Sequence, residues 1–111
     1  MSMFKIFKSA INNHYYFYLK VAGNKVILSS EGYTCKYSCM EAINSIKAEA
    51  SLDHRYERRN QNFDHYSFNL KTSRSEIICS SENYKTSERR EYDIALVKTA
   101  APQAAVLDYT V

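Results

Sequence analysis

The chain has 111 residues, of which 45% are hydrophobic, with two glycines, one proline and a formal net charge of +3. That length suits one domain, residues 1–111, with a core of its own, and the composition excludes a disordered or low-complexity chain. The charge permits an acidic partner but falls short of a dedicated nucleic-acid binder.

The opening residues, MSMFKIFKSAINNHYYFY, hold no apolar run of signal-peptide type, and no stretch approaches the ~20 apolar residues of a membrane span. A cytoplasmic protein with no membrane association is therefore expected. Three cysteines, Cys35, Cys39 and Cys79, are an odd number in a chain without a secretory signal, which favours reduced thiols over disulfides.

Taken in chain order, FKIFK reads as a first strand. YYFYLK alternates as a second, and KVILSS, after the turn at Ala22-Gly23-Asn24, as a third. The Gly-Asn pair suits a tight hairpin. Val26, Ile27 and Leu28 are consecutive apolar residues, so the third strand is expected to be buried on both faces. After SSEGY, at 29–33, the apolar spacing changes to that of a helix, with Ile43, Ile46 and Ala50 on one stripe and Ser38-Cys39-Met40-Glu41 in capping-box form. LDHRYERR follows with no Gly or Pro to break it. It is expected to serve both as the last strand of one unit and the first of the next.

The same text then returns. A shift of 51 aligns residues 14–50 on 65–101 without a gap, and 13 of the 37 pairs are identical, among them His14/His65, Phe17/Phe68, Glu31/Glu82 and Tyr33/Tyr84. This is a duplication, with one repeat at about 1–53 and the other at about 54–111. Tyr15, Phe17 and Leu19 recur as Tyr66, Phe68 and Leu70, whereas Tyr16 and Tyr18 become Ser67 and Asn69. The retained parity marks the core face. The second turn, Ser73-Arg74-Ser75, puts Arg74 where the first has Gly23, a poorer fit to positive φ. Ile94, Val97 and Ala101 repeat the helix stripe, Pro102 ends it, and AVLDYTV makes a final strand with Leu107, Tyr109 and Val111 on one side. Each unit reads β-β-β-α-β.

These stretches together, FKIFK, YYFYLK, VILSSEGYTCK and AINSIK, then RYERR, YSFNLK, IICSSENY and DIALVK, resemble the YegP-like family of small tandem-repeat proteins of unknown function. The resemblance covers almost the whole chain. It implies an α+β fold in which both units join one antiparallel sheet, exchange their C-terminal strands and pack two helices on one face. It brings no activity or catalytic residues. Asp93 departs from it, standing where the family has a small residue.

Two groups of residues are candidates for binding. Tyr16, Tyr18 and Lys20, joined by Asn69 and Lys71, point away from the core and would line an open sheet face with aromatic and basic groups. Glu31, Tyr33, Glu82 and Tyr84 lie where each third strand leaves for its helix. The structural alternative for these four is that Ser and Glu hold backbone groups while Tyr anchors the corner in the core. His14 and His65 with Cys35 and Cys39 suggest metal, but Cys-x3-Cys without a second pair does not make a zinc site, so no metal or cofactor is expected. No phosphate loop, nucleophile elbow or metalloprotease motif is present, and no residue set for catalysis is visible. The leading expectation is a small non-enzymatic binding or protein-interaction module. Weak single-stranded nucleic-acid binding is the second, and an enzyme of unidentified type the third.

Overall fold

A computed structural model describes residues 2–61 and 65–110. The first unit forms β1 (Met3–Lys8), β2 (Tyr15–Val21), β3 (Lys25–Ser30) and helix α1 (Lys36–Glu49). The second forms β4 (Tyr56–Asn60), β5 (Tyr66–Lys71), β6 (Ile77–Ser80), α2 (Ser87–Ala100) and β7 (Ala105–Asp108). All the strands join one sheet in the order β4-β5-β6-β3-β2-β1-β7. The class is α+β, as the sequence indicates.

Alternation sets the two faces. Phe4 and Ile6 of β1 register with Leu19 and Phe17 of β2, and all four are buried. Phe68 and Leu70 repeat this in β5. Ile43, Ile46 and Ala50 of the first unit and Ile94, Val97 and Ala101 of the second close over that face in a core common to both units. Each large side chain taken out of water this way contributes about 1.5–3 kcal/mol.

The third strands are not buried on both faces. The β2–β3 ladder shifts between Leu19 and Lys20, and the β5–β6 ladder shifts between Leu70 and Lys71. Leu19 faces Leu28 while Lys20 faces Val26, which leaves Ile27 as the extra residue; Ile78 has that place in the second unit. A bulge puts both of its residues on one side. Ile27, Leu28, Ile78 and Cys79 are therefore buried, whereas Val26 and Ile77 remain 38% and 40% exposed. Three adjacent apolar residues record a bulge copied with the unit.

The sheet is antiparallel except at one edge, where β7 runs parallel to β1, with Phe4 opposite Val106 and Ile6 opposite Asp108. The exchange is one-sided. β7 crosses to the first unit, where Lys47 Nζ of α1 donates to the Ala104 carbonyl at 2.6 Å and Lys36 pairs with Asp108. Among the described residues no equivalent strand follows α1. Asp53–Arg55 forms a 3-10 turn, and the chain enters β4 only at Tyr56, which pairs with β5 of its own unit. LDHRYERR thus supplies one strand and not two. The Tyr56 hydroxyl donates to the Ala50 carbonyl at 2.7 Å, which ties that turn to the end of α1. In β7 the Leu107 parity registers with Lys5 and so belongs to the open face; Val106 is the residue packed on the core. Val111 lies outside the described residues.

Local signals differ between the copies. α1 starts at Lys36 with Cys35 as an N-cap whose Sγ meets the Ser38 hydroxyl at 3.2 Å but makes no capping bond, so the Ser38 capping box falls inside the helix. In α2, Thr86 caps through its hydroxyl, which accepts from the Arg89 N–H at 3.1 Å. The first hairpin takes positive φ at Gly23 (83°) and Asn24 (60°). The second moves it to Ser75 (66°), which spares Arg74, and the Thr72 hydroxyl accepts from the N–H groups of Arg74 and Glu76.

Candidate functional site

The repeated SSEGY and SSENY segments lie where the two units meet. Ser29 of β3 pairs with Ser80 of β6, its own counterpart in the other unit, so the local twofold axis passes between them. An open-sided cleft of about 400 Å³ sits here, lined by Ser29, Ser30, Glu31 and their equivalents Ser80, Ser81, Glu82. The second serine of each pair does structural work. Ser30 Oγ accepts from the Phe17 N–H at 2.9 Å and donates to the Glu31 carbonyl at 2.8 Å; Ser81 repeats both bonds with Phe68 and Glu82 at the same distances. These bonds close the ladder as the strand departs.

The corner tyrosines also serve the fold. Tyr33 exchanges backbone bonds with Tyr15, and Tyr84 with Tyr66. Their rings stack on Phe17 at 6.4 Å and on Phe68 at 6.3 Å. Burial pushes the Tyr33 hydroxyl up to about 12 and raises that of Tyr84 further, so both stay protonated donors. The glutamates differ from the structural expectation. Glu31 and Glu82 are exposed, and among the described residues neither carboxylate has a hydrogen bond or ion pair. The serines handle the backbone here, and the two duplicated carboxylates face the axial cleft.

Gly32 sits at a close approach to two side chains. A Cβ there would meet Tyr16 Oη at 3.0 Å and His14 Nδ1 at 3.1 Å. In the second unit the residue matching Tyr16 is Ser67, which leaves room for Asn83 in the glycine's place.

The open face separates into two chemically different halves. On the first unit, Phe7 stacks on Tyr16 at 5.7 Å and lies 5.8 Å from Tyr18. Lys20 Nζ sits 5.8 Å from the Tyr18 ring and Lys5 Nζ 5.1 Å from that of Tyr109. Among the described residues no carboxylate pairs with Lys5 or Lys20. On the second unit, Glu57 accepts from Asn69 Nδ2 at 2.9 Å and from Lys71 Nζ at 2.8 Å, and these bonds hold its carboxyl below the usual range. Asn69 and Lys71 are thus held by Glu57, which also lies 3.7 Å from Arg59, and do not extend the aromatic and basic patch. That corrects the grouping expected from sequence.

Phe7, Lys5 and Tyr109 complete the patch and were not among the candidates. The parity of FKIFK already sets Lys5 and Phe7 opposite to Phe4 and Ile6. What the sequence lacks is the register that lays Lys5 beside Tyr18 and Phe7 beside Tyr16. Cys35 and Cys39 diverge, one exposed and the other buried in the core, and among the described residues no three His, Cys, Asp or Glu side chains converge on a point.

Two pseudo-symmetric β-β-β-α units, joined in one sheet with one face under helices and the other open, define a tandem-repeat α+β protein. A family model described as "Domain of unknown function (DUF1508)" matches twice, at residues 10–57 and 62–108, and the chain belongs to that family. It is 36% identical over 107 residues to the UPF0339 protein YegP of Escherichia coli K12, covering 96% of each chain. It is 37% identical over 92 residues, 83% of each chain, to a UPF0339 protein from the 5' region of the ptx operon of Stutzerimonas stutzeri. Among solved structures, a UPF0339 protein of Shewanella oneidensis superposes with a TM-score of 0.92 at 30% identity, covering 98% of this chain and 92% of that one. The structure of the E. coli protein of unknown function yegP gives 0.90 at 36% identity over 98% and 93% of the two chains. None of these relatives carries an enzymatic name. No helix of the described residues is long and apolar enough to cross a membrane.

Proposed function

We propose that this is a non-enzymatic binding module that receives a protein partner on the first-unit half of its open sheet face. One observation carries the reading: Phe7, Tyr16 and Tyr18 form an aromatic cluster, Lys20 lies beside Tyr18 and Lys5 beside Tyr109, and among the described residues no carboxylate is paired to either lysine. Aromatic residues are favoured at protein interfaces, and unpaired lysines at the rim select an acidic surface. On the second-unit half Lys71 is already paired with Glu57, which also meets Arg59 at 3.7 Å, and among the described residues no ring contact joins its side chains into an aromatic cluster. A cytoplasmic setting goes with this reading and is supported by three free thiols.

Aromatic rings interleaved with lysines also suit stacked single-stranded bases, which makes nucleic acid the second reading. The test is a pull-down from native cells with the full chain and with Tyr18→Ala/Lys20→Glu, identifying protein and nucleic acid in both eluates. An acidic protein enriched by the parent and lost with the variant is the expected result. Oligonucleotide recovered instead, with affinity that falls steeply with salt, would favour the second reading. Equal recovery by parent and variant would remove this face from consideration.

A further inference from the structure

The two corners of the fold share a plan but are filled differently. In the second, Asp93 of α2 is completely buried, and its Oδ2 accepts from Tyr84 Oη at 2.7 Å and from Lys25 Nζ at 2.7 Å. Lys25 comes from β3 of the other unit, and its ammonium lies 6.0 Å from the centre of the Tyr84 ring. This corner is an ammonium site whose cation belongs to the chain itself.

The pseudo-twofold image of that corner has Tyr33 for Tyr84. The shift of 51 places Ala42 where Asp93 stands and Glu76 where Lys25 stands. The internal cation is gone, and a carboxylate stands at its position on the strand. A pocket of about 280 Å³ opens here, lined by Tyr33, Glu41, Ala42, Ser45, Thr72 and Glu76 over a floor of Ile77 and Ile78. Among the described residues neither Glu41 nor Glu76 takes part in an ion pair. Tyr33 is partly exposed where Tyr84 is 4% exposed, as expected for a corner left unfilled.

We propose that the Tyr33 pocket binds a small primary ammonium, seated by the Tyr33 ring with Glu76 as its counter-ion, in the place that Lys25 takes in the twin corner. Three features argue for that chemistry. The twin shows that this backbone frame accepts an alkylammonium beside the tyrosine. A tyrosine ring attracts a cation within about 6 Å of its centroid. The volume, just below the ~300–1,000 Å³ of pockets for drug-sized ligands, suits a short alkyl chain. The site is open to water, so affinity should be on the order of 1–10 mM for a simple amine.

The test titrates the ¹⁵N-labelled full chain with n-butylammonium chloride at constant ionic strength and follows amide signals, with 1-butanol and sodium butyrate as controls. Saturable shifts confined to Tyr33, Ala42, Ser45 and Glu76, absent with both controls, are expected. Glu76→Gln should weaken the response about two- to fivefold, the range for an ion pair open to water. Because Glu76 is exposed, that variant should remain folded. Ala42→Asp/Glu76→Lys rebuilds the twin triad, and should abolish the response while raising the unfolding midpoint. No saturable shift, an equal response to butanol, or an unchanged response in Glu76→Gln would each overturn the proposal.

Discussion

Converting the filled corner into its twin, by Asp93→Ala, gives the most direct check on the corner chemistry. The substitution leaves the Tyr84 hydroxyl, on a residue 4% exposed, without its 2.7 Å acceptor. An unsatisfied buried donor costs about 1–3 kcal/mol. Lys25 loses the same carboxylate oxygen, but its side chain is 30% exposed and its ammonium can rehydrate, so that pair adds only about 0–1 kcal/mol. Part of the loss is offset. Asp93 Oδ1 has no hydrogen-bond partner among the described residues, so the parent already bears an uncompensated desolvation cost that alanine removes. The balance is a destabilisation of about 2 kcal/mol, or roughly a 1 M drop in urea midpoint at an m-value typical of small proteins. Urea unfolding of the parent, Asp93→Ala, Tyr84→Phe and the double variant forms a cycle. Removing the hydroxyl should cost little once its acceptor is gone, which gives a coupling of about 1 kcal/mol. Strict additivity, or an Asp93→Ala midpoint at or above the parent's, would refute the reasoning.

Ser30→Ala and Ser81→Ala should each lose about 1–2 kcal/mol, because each removes a hydroxyl that both accepts from a strand N–H and donates to the next carbonyl. Glu31→Gln and Glu82→Gln should stay within about 0.5 kcal/mol of the parent, as exposed side chains away from such features do; a loss comparable to the serine variants would show that the glutamates do hold the corner. Stability should also fall in acid. Bonds from Arg58 and Lys98 lower Asp53 from 3.8 to about 2, and bonds from Lys36 and Thr110 do the same for Asp108. A carboxyl depressed on folding stabilises above its unfolded pKa, and this contribution disappears as pH falls from about 4 to about 2. Thermal midpoints measured through that window should drop less steeply for Asp53→Asn/Asp108→Asn than for the parent, and parallel curves would exclude both residues as the source.

Much of the fold was legible because its signals are local. The alternation at Tyr15, Phe17 and Leu19, with its copy at Tyr66, Phe68 and Leu70, separates core from open face, since successive side chains of a strand point to opposite sides. The stripe at Ile43, Ile46 and Ala50 marks a helix for the same kind of reason. Duplication strengthened each signal by showing which parity survived. What the sequence left undecided depends on residues distant along the chain. Nothing local says that β7 joins β1 in parallel, that Ser29 finds Ser80 across the axis, or that Ile27 and Ile78 are bulges where an unbroken apolar run suggested a doubly buried strand. Asp93 looked like a departure from the pattern, yet it accepts from the buried Tyr84 hydroxyl and from Lys25, 68 residues away. The candidate sites follow the same division. Tyr16, Tyr18 and Lys20 were visible by parity, but whether a lysine on that face is free or neutralised was set by the strand beside it, as Glu57 does for Lys71. Periodicity within a strand or helix fixes which way a side chain points, because the backbone repeat imposes it; only the packing of the two units fixes what that side chain meets.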